Sequence, residues 1–227
     1  PMQRSLVGSE MCIRDRSCER DGDKGMSYTA IVDYGVGNLK SLTNAMNYLG
    51  LPSRITNDRV ELERADAILL PGVGAFPDAA ERLRETGLAG LLAEQAARKP
   101  MLGICLGMQL LFDRGEEVRP CEGLGLVHGS VKKIKTPYKL PHIGWNTLTF
   151  PGESPLFRGL DEGASVYFVH SYCAVAEDPA DVIAVTDYGA PVTAAVNHGL
   201  VYGCQFHPEK SGEVGLTILK NFGGLSR

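Results

Sequence analysis

The sequence predicts an α/β fold in which helices pack on the faces of a mainly parallel sheet, with additional antiparallel strands in the C-terminal half. Three observations predict it. From Met26 onward, short β-branched runs alternate with amphipathic stretches, as strands alternate with covering helices. From Gly129 onward the pattern changes to strand-like runs punctuated by Gly, Pro, Asn and Asp. The 227 residues, 44% of them hydrophobic and 22% charged, suffice for one buried core, and no internal repeat or low-complexity linker divides the chain.

The elements follow in order. YTAIVDY (Tyr28 to Tyr34) is a buried-strand candidate running into GVGN, where Asn38 caps a helix with Leu39, Leu42, Ala45, Met46 and Leu49 on one face and Gly50 as its stop. ADAILLP (Ala65 to Pro71) is a second buried strand. The glycine loop PGVGAF ends it, and Pro77 opens a helical region expected to reach Arg98. KPMLGICLGMQLLFDRG then predicts a strand ending near Ile104, a sharp turn at Cys105 and a helix to about Arg114. GSVKKI, WNTLTF, VYFVHSY, DVIAVTDYG, VTAAVNHG and LVYGCQFHP read as strands, and a last helix spans roughly Glu213 to Phe222.

The segment Pro1 to Gly25 stands apart. It mixes charges of both signs without helical or strand period and lacks the apolar stretch of a signal peptide, so it reads as a non-native or disordered extension, with the domain at 26–227. Composition excludes several functions. A net charge of −4, from 27 acidic and 23 basic residues, leaves no basic stripe for a phosphate backbone, so nucleic acid is not an expected partner. No apolar run approaches the ~18 residues of a membrane span. Cys12, Cys18, Cys105, Cys121, Cys173 and Cys204 form neither a CxxC pair nor a dense disulfide framework, which fits a reducing, cytoplasmic setting. No Cys/His spacing suits a metal, and no cofactor motif is present.

Gly103-Ile104-Cys105-Leu106-Gly107 has the G-x-nucleophile-x-G form between an apolar strand and an amphipathic helix. Such an elbow forces the nucleophile into a strained backbone conformation, and glycines on either side remove Cβ atoms that would clash. The helix N-terminus behind it favours thiolate over thiol. Cys121, Cys173 and Cys204 lack that setting and read as structural cysteines. Gln205-Phe206-His207-Pro208-Glu209 follows a strand, so residues two apart share a side and the Glu209 carboxylate can reach the His207 ring. Taken alone, His-Pro-Glu is equally a surface turn. His128 and His198 sit beside glycines in expected turns, and His142 and His170 lie in strand-edge segments.

GICLGMQLLF, QFHPEKSG and PGVGAF together resemble the class I, triad-type glutamine amidotransferases over the chain from Met26 to the C-terminus. DYGVGNLKS, PHIGWN and FVHSY narrow the resemblance to one biosynthetic branch of that family. It implies a single-domain three-layer sandwich with a flavodoxin-like central sheet, carrying a Cys105-His207-Glu209 triad that hydrolyses L-glutamine through a thioester. The oxyanion donors it implies are the backbone N–H of Leu106 and one from Val73 or Gly74. For substrate binding it implies Gly72, Gln109, His170, Ser171 and Tyr172. Taken by spacing alone, Gln109 is equally a solvent-facing helix residue and Tyr172 a packing residue.

Ammonia reacts as a nucleophile only while unprotonated, so a docked acceptor enzyme is expected; the resemblance implies a (β/α)8-barrel cyclase subunit. Asn38, Trp145, Tyr167 and Lys210 are the candidates for the docking face, although Trp145 is equally a core tryptophan. The alternatives are a glutaminase serving another synthase and a non-catalytic regulatory subunit of the same fold.

Overall fold

The computed structural model describes residues 27–226. Pro1 to Gly25, read above as an extension, lies outside the described residues, as do Cys12, Cys18 and Met26. In chain order the first half comprises β1 (Thr29–Val32), α1 (Leu39–Tyr48), β2 (Ser53–Thr56), α2 (Arg59–Arg64), β3 (Ala67–Gly72), α3 (Phe76–Glu85), α4 (Leu88–Ala96), β4 (Met101–Cys105) and α5 (Leu106–Leu110). The second half comprises β5 (Phe112–Gly115), β6 (Cys121–Glu122), β7 (Val127–Lys133), β8 (His142–Thr147), β9 (Ser165–His170), β10 (Tyr172–Ala176), β11 (Val182–Asp187), β12 (Pro191–His198), β13 (Val201–Cys204) and α6 (Gly212–Gly224).

The central sheet has seven strands in the order β11-β12-β13-β4-β3-β1-β2. Its five strands from β13 to β2 are parallel, while β12 and β11 join antiparallel at one edge. Read along its parallel part, β2-β1-β3-β4-β13, this is the flavodoxin-like order 2-1-3-4-5. Strands β1, β3, β4 and β13 are buried at every position, as strands covered on both faces must be.

Alternate residues of these strands feed two separate cores, which makes the fold three layers. Ala30, Val32, Ile68 and Leu70 pack with Leu83, Leu91 and Leu92 of α3 and α4. Ile31, Leu69, Leu102 and Ile104 pack on the opposite face with Leu42 and Met46 of α1 and Ile218 and Phe222 of α6. A four-stranded sheet, β10-β7-β5-β6, and the antiparallel pair β8-β9 supply the additional strands.

Three expectations are corrected. The helix opened at Pro77 does not reach Arg98; it breaks at Thr86 and Gly87, where Gly87 is left-handed (φ 69°). The helix after Cys105 does not reach Arg114 but ends at Leu110, because Phe112–Gly115 is drawn into a ladder with β7. His128 and His198 lie within β7 and at the end of β12 rather than in turns.

Candidate active site

Gly72, Cys105 and Cys204 end three neighbouring parallel strands, β3, β4 and β13, so the loops that follow converge beyond the carboxyl edge of the sheet. Ligands of open α/β sheets bind at this edge. Cys105 turns the chain with φ 55° and ψ −111°; apart from Val118, it is the only non-glycine residue with positive φ among the described residues. Such a backbone costs on the order of 1–3 kcal/mol and persists only where its surroundings impose it.

Here close packing imposes it. A Cβ on Gly103 would lie 2.6 Å from the Gly107 carbonyl oxygen, and one on Gly107 would collide with the Leu70 carbonyl of β3. A Cβ on Gly72 would lie 2.7 Å from the Tyr34 hydroxyl and 2.9 Å from the Gly107 nitrogen. The glycines thus let β3, β4 and α5 touch backbone to backbone. Tyr34, buried, donates its hydroxyl to the Pro71 carbonyl at 2.9 Å and braces the strand that leads into the loop.

His207 follows β13, and its N–H donates to the Tyr167 carbonyl at 3.0 Å. A 3₁₀ turn at Pro208–Lys210 brings Glu209 back onto the ring, with Glu209 Oε1 2.8 Å from His207 Nδ1. Both side chains are almost wholly buried, at 3% and 4% exposure, so the surface-turn reading falls. His207 Nε2 is buried without a completed hydrogen bond, and Cys105 lies beside it. Burial alone lowers the imidazole pKa, but contact with Cys105 and the Glu209 carboxylate outweigh it and raise the value to about 9. The ring is therefore held in readiness to carry a proton beside the sulfur.

The sulfur faces a cavity of about 380 Å³. Val73, Gly74, Leu106, Gln109, His170, Ser171, Tyr172 and His207 all line it, so nearly every residue expected at the site is brought together. Gly74, with φ 103° and open space around it, sits where a peptide N–H can turn toward a developing oxyanion. Gly72 does not line this cavity. It borders a narrow crevice behind, with Asn38 and Glu209, and its part is the close approach just described. Gln109 is 5% exposed and points inward, which removes the solvent-facing reading. Its Nε2 donates to the Tyr172 carbonyl and to Gln205 Oε1, both at 3.0 Å, leaving only Oε1 to accept from a ligand.

Three lining residues were not legible in the sequence. Pro141 and Val169 border the cavity, as does Glu117 from the loop after β5. Glu117 also accepts from the Phe76 N–H at 2.8 Å, capping α3, whose own cap position is Ala75. Its carbonyl accepts from the Arg119 N–H at 2.5 Å across Val118 (φ 59°), a tight and strained γ-turn. Gln205 lies deeper still, against the sulfur itself. A larger open cleft of about 740 Å³ lies around Phe150 to Leu160, away from these groups.

The four docking candidates lie around one end of the site. Trp145 and Tyr167 are register partners on β8 and β9 with edge-to-face rings 6.1 Å apart, and Trp145 is 58% exposed rather than core. Asn38 accepts from the Ser41 N–H at 3.4 Å, and Lys210 is exposed on the turn after His207.

A model of the class-I glutamine amidotransferases matches residues 30–223. The chain belongs to this family. It is 50% identical over 198 residues to the imidazole glycerol phosphate synthase subunit HisH of Bacillus thuringiensis (strain Al Hakam), covering 86% of this chain and 94% of that one. The same-named subunit of Bacillus cereus (strain G9842) is 52% identical over 197 residues, with the same shares covered. Among solved structures, PurLQS from Thermotoga maritima superposes with a TM-score of 0.70 at 21% identity, over 86% of this chain and 97% of that one. A putative GMP synthase subunit from Thermoplasma acidophilum gives 0.67 at 22%, over 90% and 96%. At such identities the likeness is one of fold. Among the described residues of this amidotransferase, no cluster of three or more His, Cys, Asp or Glu is placed to hold a metal, and no helix is long and apolar enough to cross a membrane.

Proposed function

We propose that this chain is the glutaminase subunit of imidazole glycerol phosphate synthase, a cytoplasmic enzyme of histidine biosynthesis, with residues 26–227 as its catalytic domain. The roughly 50% identity to HisH subunits over nearly their whole length supports the assignment, and the buried Glu209–His207 pair beside a strained Cys105 carries the chemistry. Cys105 attacks the side-chain carboxamide of glutamine. The tetrahedral oxyanion is received by the Leu106 N–H and one from Val73 or Gly74. His207 protonates the departing ammonia, then takes a proton from the water that hydrolyses the γ-glutamyl thioester, so glutamate is the second product. Glu209 holds the ring and stabilises its charged form. Oε1 of Gln109 accepts from the substrate α-ammonium, and Ser171 and Tyr172 complete the wall around it.

Ammonia then passes to a docked (β/α)8-barrel cyclase, which forms imidazole glycerol phosphate and aminoimidazole carboxamide ribotide. Trp145, Tyr167, Lys210 and Asn38 face that partner. The test pairs the purified chain with a (β/α)8 cyclase and supplies glutamine or ammonium as the nitrogen source. Glutamine supports product only when the chain is present and Cys105 intact, whereas ammonium supports it without either. Product from glutamine with Cys105→Ala, or none with the intact chain, overturns the assignment.

A further inference from the structure

Gln205 is the polar side chain at the nucleophile to which this scheme gives no part. It is fully buried, and its Nε2 donates to Cys105 Sγ over 3.8 Å. Its Oε1 accepts from Gln109 Nε2 at 3.0 Å. That second bond fixes the orientation of the amide, because the oxygen end is held by a donor and the N–H end is left to face sulfur. Gln109 is fixed in turn by the Tyr172 carbonyl, which also lies 2.8 Å from His170 Nδ1.

Cys105 Sγ also has the Val169 carbonyl at 4.0 Å. A thiol can donate its hydrogen there. A thiolate has no use for a carbonyl, but gains from an N–H.

We infer that Gln205 is a catalytic hydrogen-bond donor to the Cys105 sulfur. It stabilises the thiolate before attack and again when the thioester breaks. In that step water adds to the thioester carbonyl carbon and gives its proton to His207, the C–S bond breaks, and the electron pair returns to sulfur facing the Gln205 N–H. The inference rests on Cys105 being the nucleophile. The other ionisable groups around the sulfur are His207 after β13 with Glu209 behind it, His170 at the end of β9, Tyr34 after β1, and Glu117 across the cavity. Gln205→Met leaves all of them unaltered, whereas Gln205→Glu adds a carboxylate beside the sulfur.

Two variants separate donation from packing. Gln205→Met keeps length and volume but deletes the amide. Gln205→Glu keeps an acceptor for Gln109 and deletes the N–H. The readout is iodoacetamide alkylation of the Cys105 peptide, followed by mass spectrometry between pH 5 and 9 without glutamine, with the urea midpoint reporting folding. In Gln205→Met the alkylation midpoint rises by about one pH unit, a loss of about tenfold in rate at pH 7, and in Gln205→Glu it rises at least as far, because repulsion from the new carboxylate adds to the lost N–H. The turnover number for glutamine falls by a similar factor in Gln205→Glu, with KM little changed. An unmoved midpoint in a folded Gln205→Met, or in a folded Gln205→Glu, overturns the inference. If one variant fails to fold, the other carries the test. Loss of the nucleophile assignment would look different, as equal glutamine hydrolysis by the parent and Cys105→Ala.

Discussion

Replacing Gly103 by alanine separates the demands of the elbow from those of the core. The added Cβ would lie 2.6 Å from the Gly107 oxygen and 2.7 Å from both the Gly107 carbonyl carbon and Met108 Cα. Ordinary contact begins near 3.4 Å, so the overlap reaches 0.8 Å against backbone, which has no rotamer to change. Gly103 has no positive φ, so alanine suits its conformation and recovers roughly 0.4–1 kcal/mol of unfolded-chain entropy. Overpacking of this kind costs roughly 1–3 kcal/mol, leaving a net loss of up to about 2.5 kcal/mol. Relief of the overlap must move α5 away from β4, and with it the Leu106 N–H. A misplacement approaching 1 Å costs about a hundredfold in rate.

The expected result is a modest fall in urea midpoint with a fall of about a hundredfold in kcat/KM for glutamate release, measured with the chain alone and mixed with a (β/α)8 cyclase. Gly90→Ala is the control: Gly90 lies in α4 with nothing within 4 Å of the new Cβ, so stability rises by up to about 1 kcal/mol and activity is unchanged. Parental midpoint and parental rate in Gly103→Ala would refute the claim that backbone contact sets the elbow.

Three further outcomes follow from the same geometry. The His207 pKa is raised to about 9, so its stabilisation is complete below the unfolded value of 6.5 and is lost as pH rises through about 9. Glu209→Gln is therefore less stable than the parent at pH 6, by an amount on the order of 3 kcal/mol or less, and urea titrations show the gap closing by pH 10. His170, lowered by burial to about 4, acts with the opposite sign: its neutral form is stable above pH 6.5, and stability drains as pH falls toward 4. The parent loses urea midpoint over that interval faster than His170→Asn. Tyr34→Phe removes the buried bond to the Pro71 carbonyl at about 0.5–1.5 kcal/mol, and the turnover number for glutamine falls further than the stability change accounts for, because that strand leads into Val73 and Gly74.

The strands that carry the site were legible because they are apolar on both faces, as in ADAILLP, and the elbow because its glycines flank one cysteine. β2 and α2 were not. SRIT has two exposed positions, and RVELER buries only Leu62, so neither shows a clear period. The break at Gly87 was hidden because Leu88, Leu91 and Leu92 continue the apolar spacing beyond it. The end of the helix after Cys105 is hidden because Met108, Leu110, Leu111 and Phe112 are apolar in either conformation, and pairing with β7 decides between them. At the site, Cys105 is marked by its elbow, whereas His207 and Glu209 stand out only through the resemblance carried by QFHPEKSG. Gln205 meets the sulfur across 100 residues of chain, and no local pattern links the two. Glu117 reaches the cavity from a strained loop whose turn residue, an exposed valine, gives no sequence signal.

In the proposed reaction glutamine is hydrolysed through a covalent bond to Cys105. Acid quenching of the complex during turnover of labelled glutamine, followed by peptide mapping, tests it most directly. A γ-glutamyl label on the Cys105 peptide, absent in Cys105→Ala together with a loss of at least about a thousandfold in glutamate release, is the predicted result. Parental hydrolysis by Cys105→Ala, or a label on another residue, would contradict it.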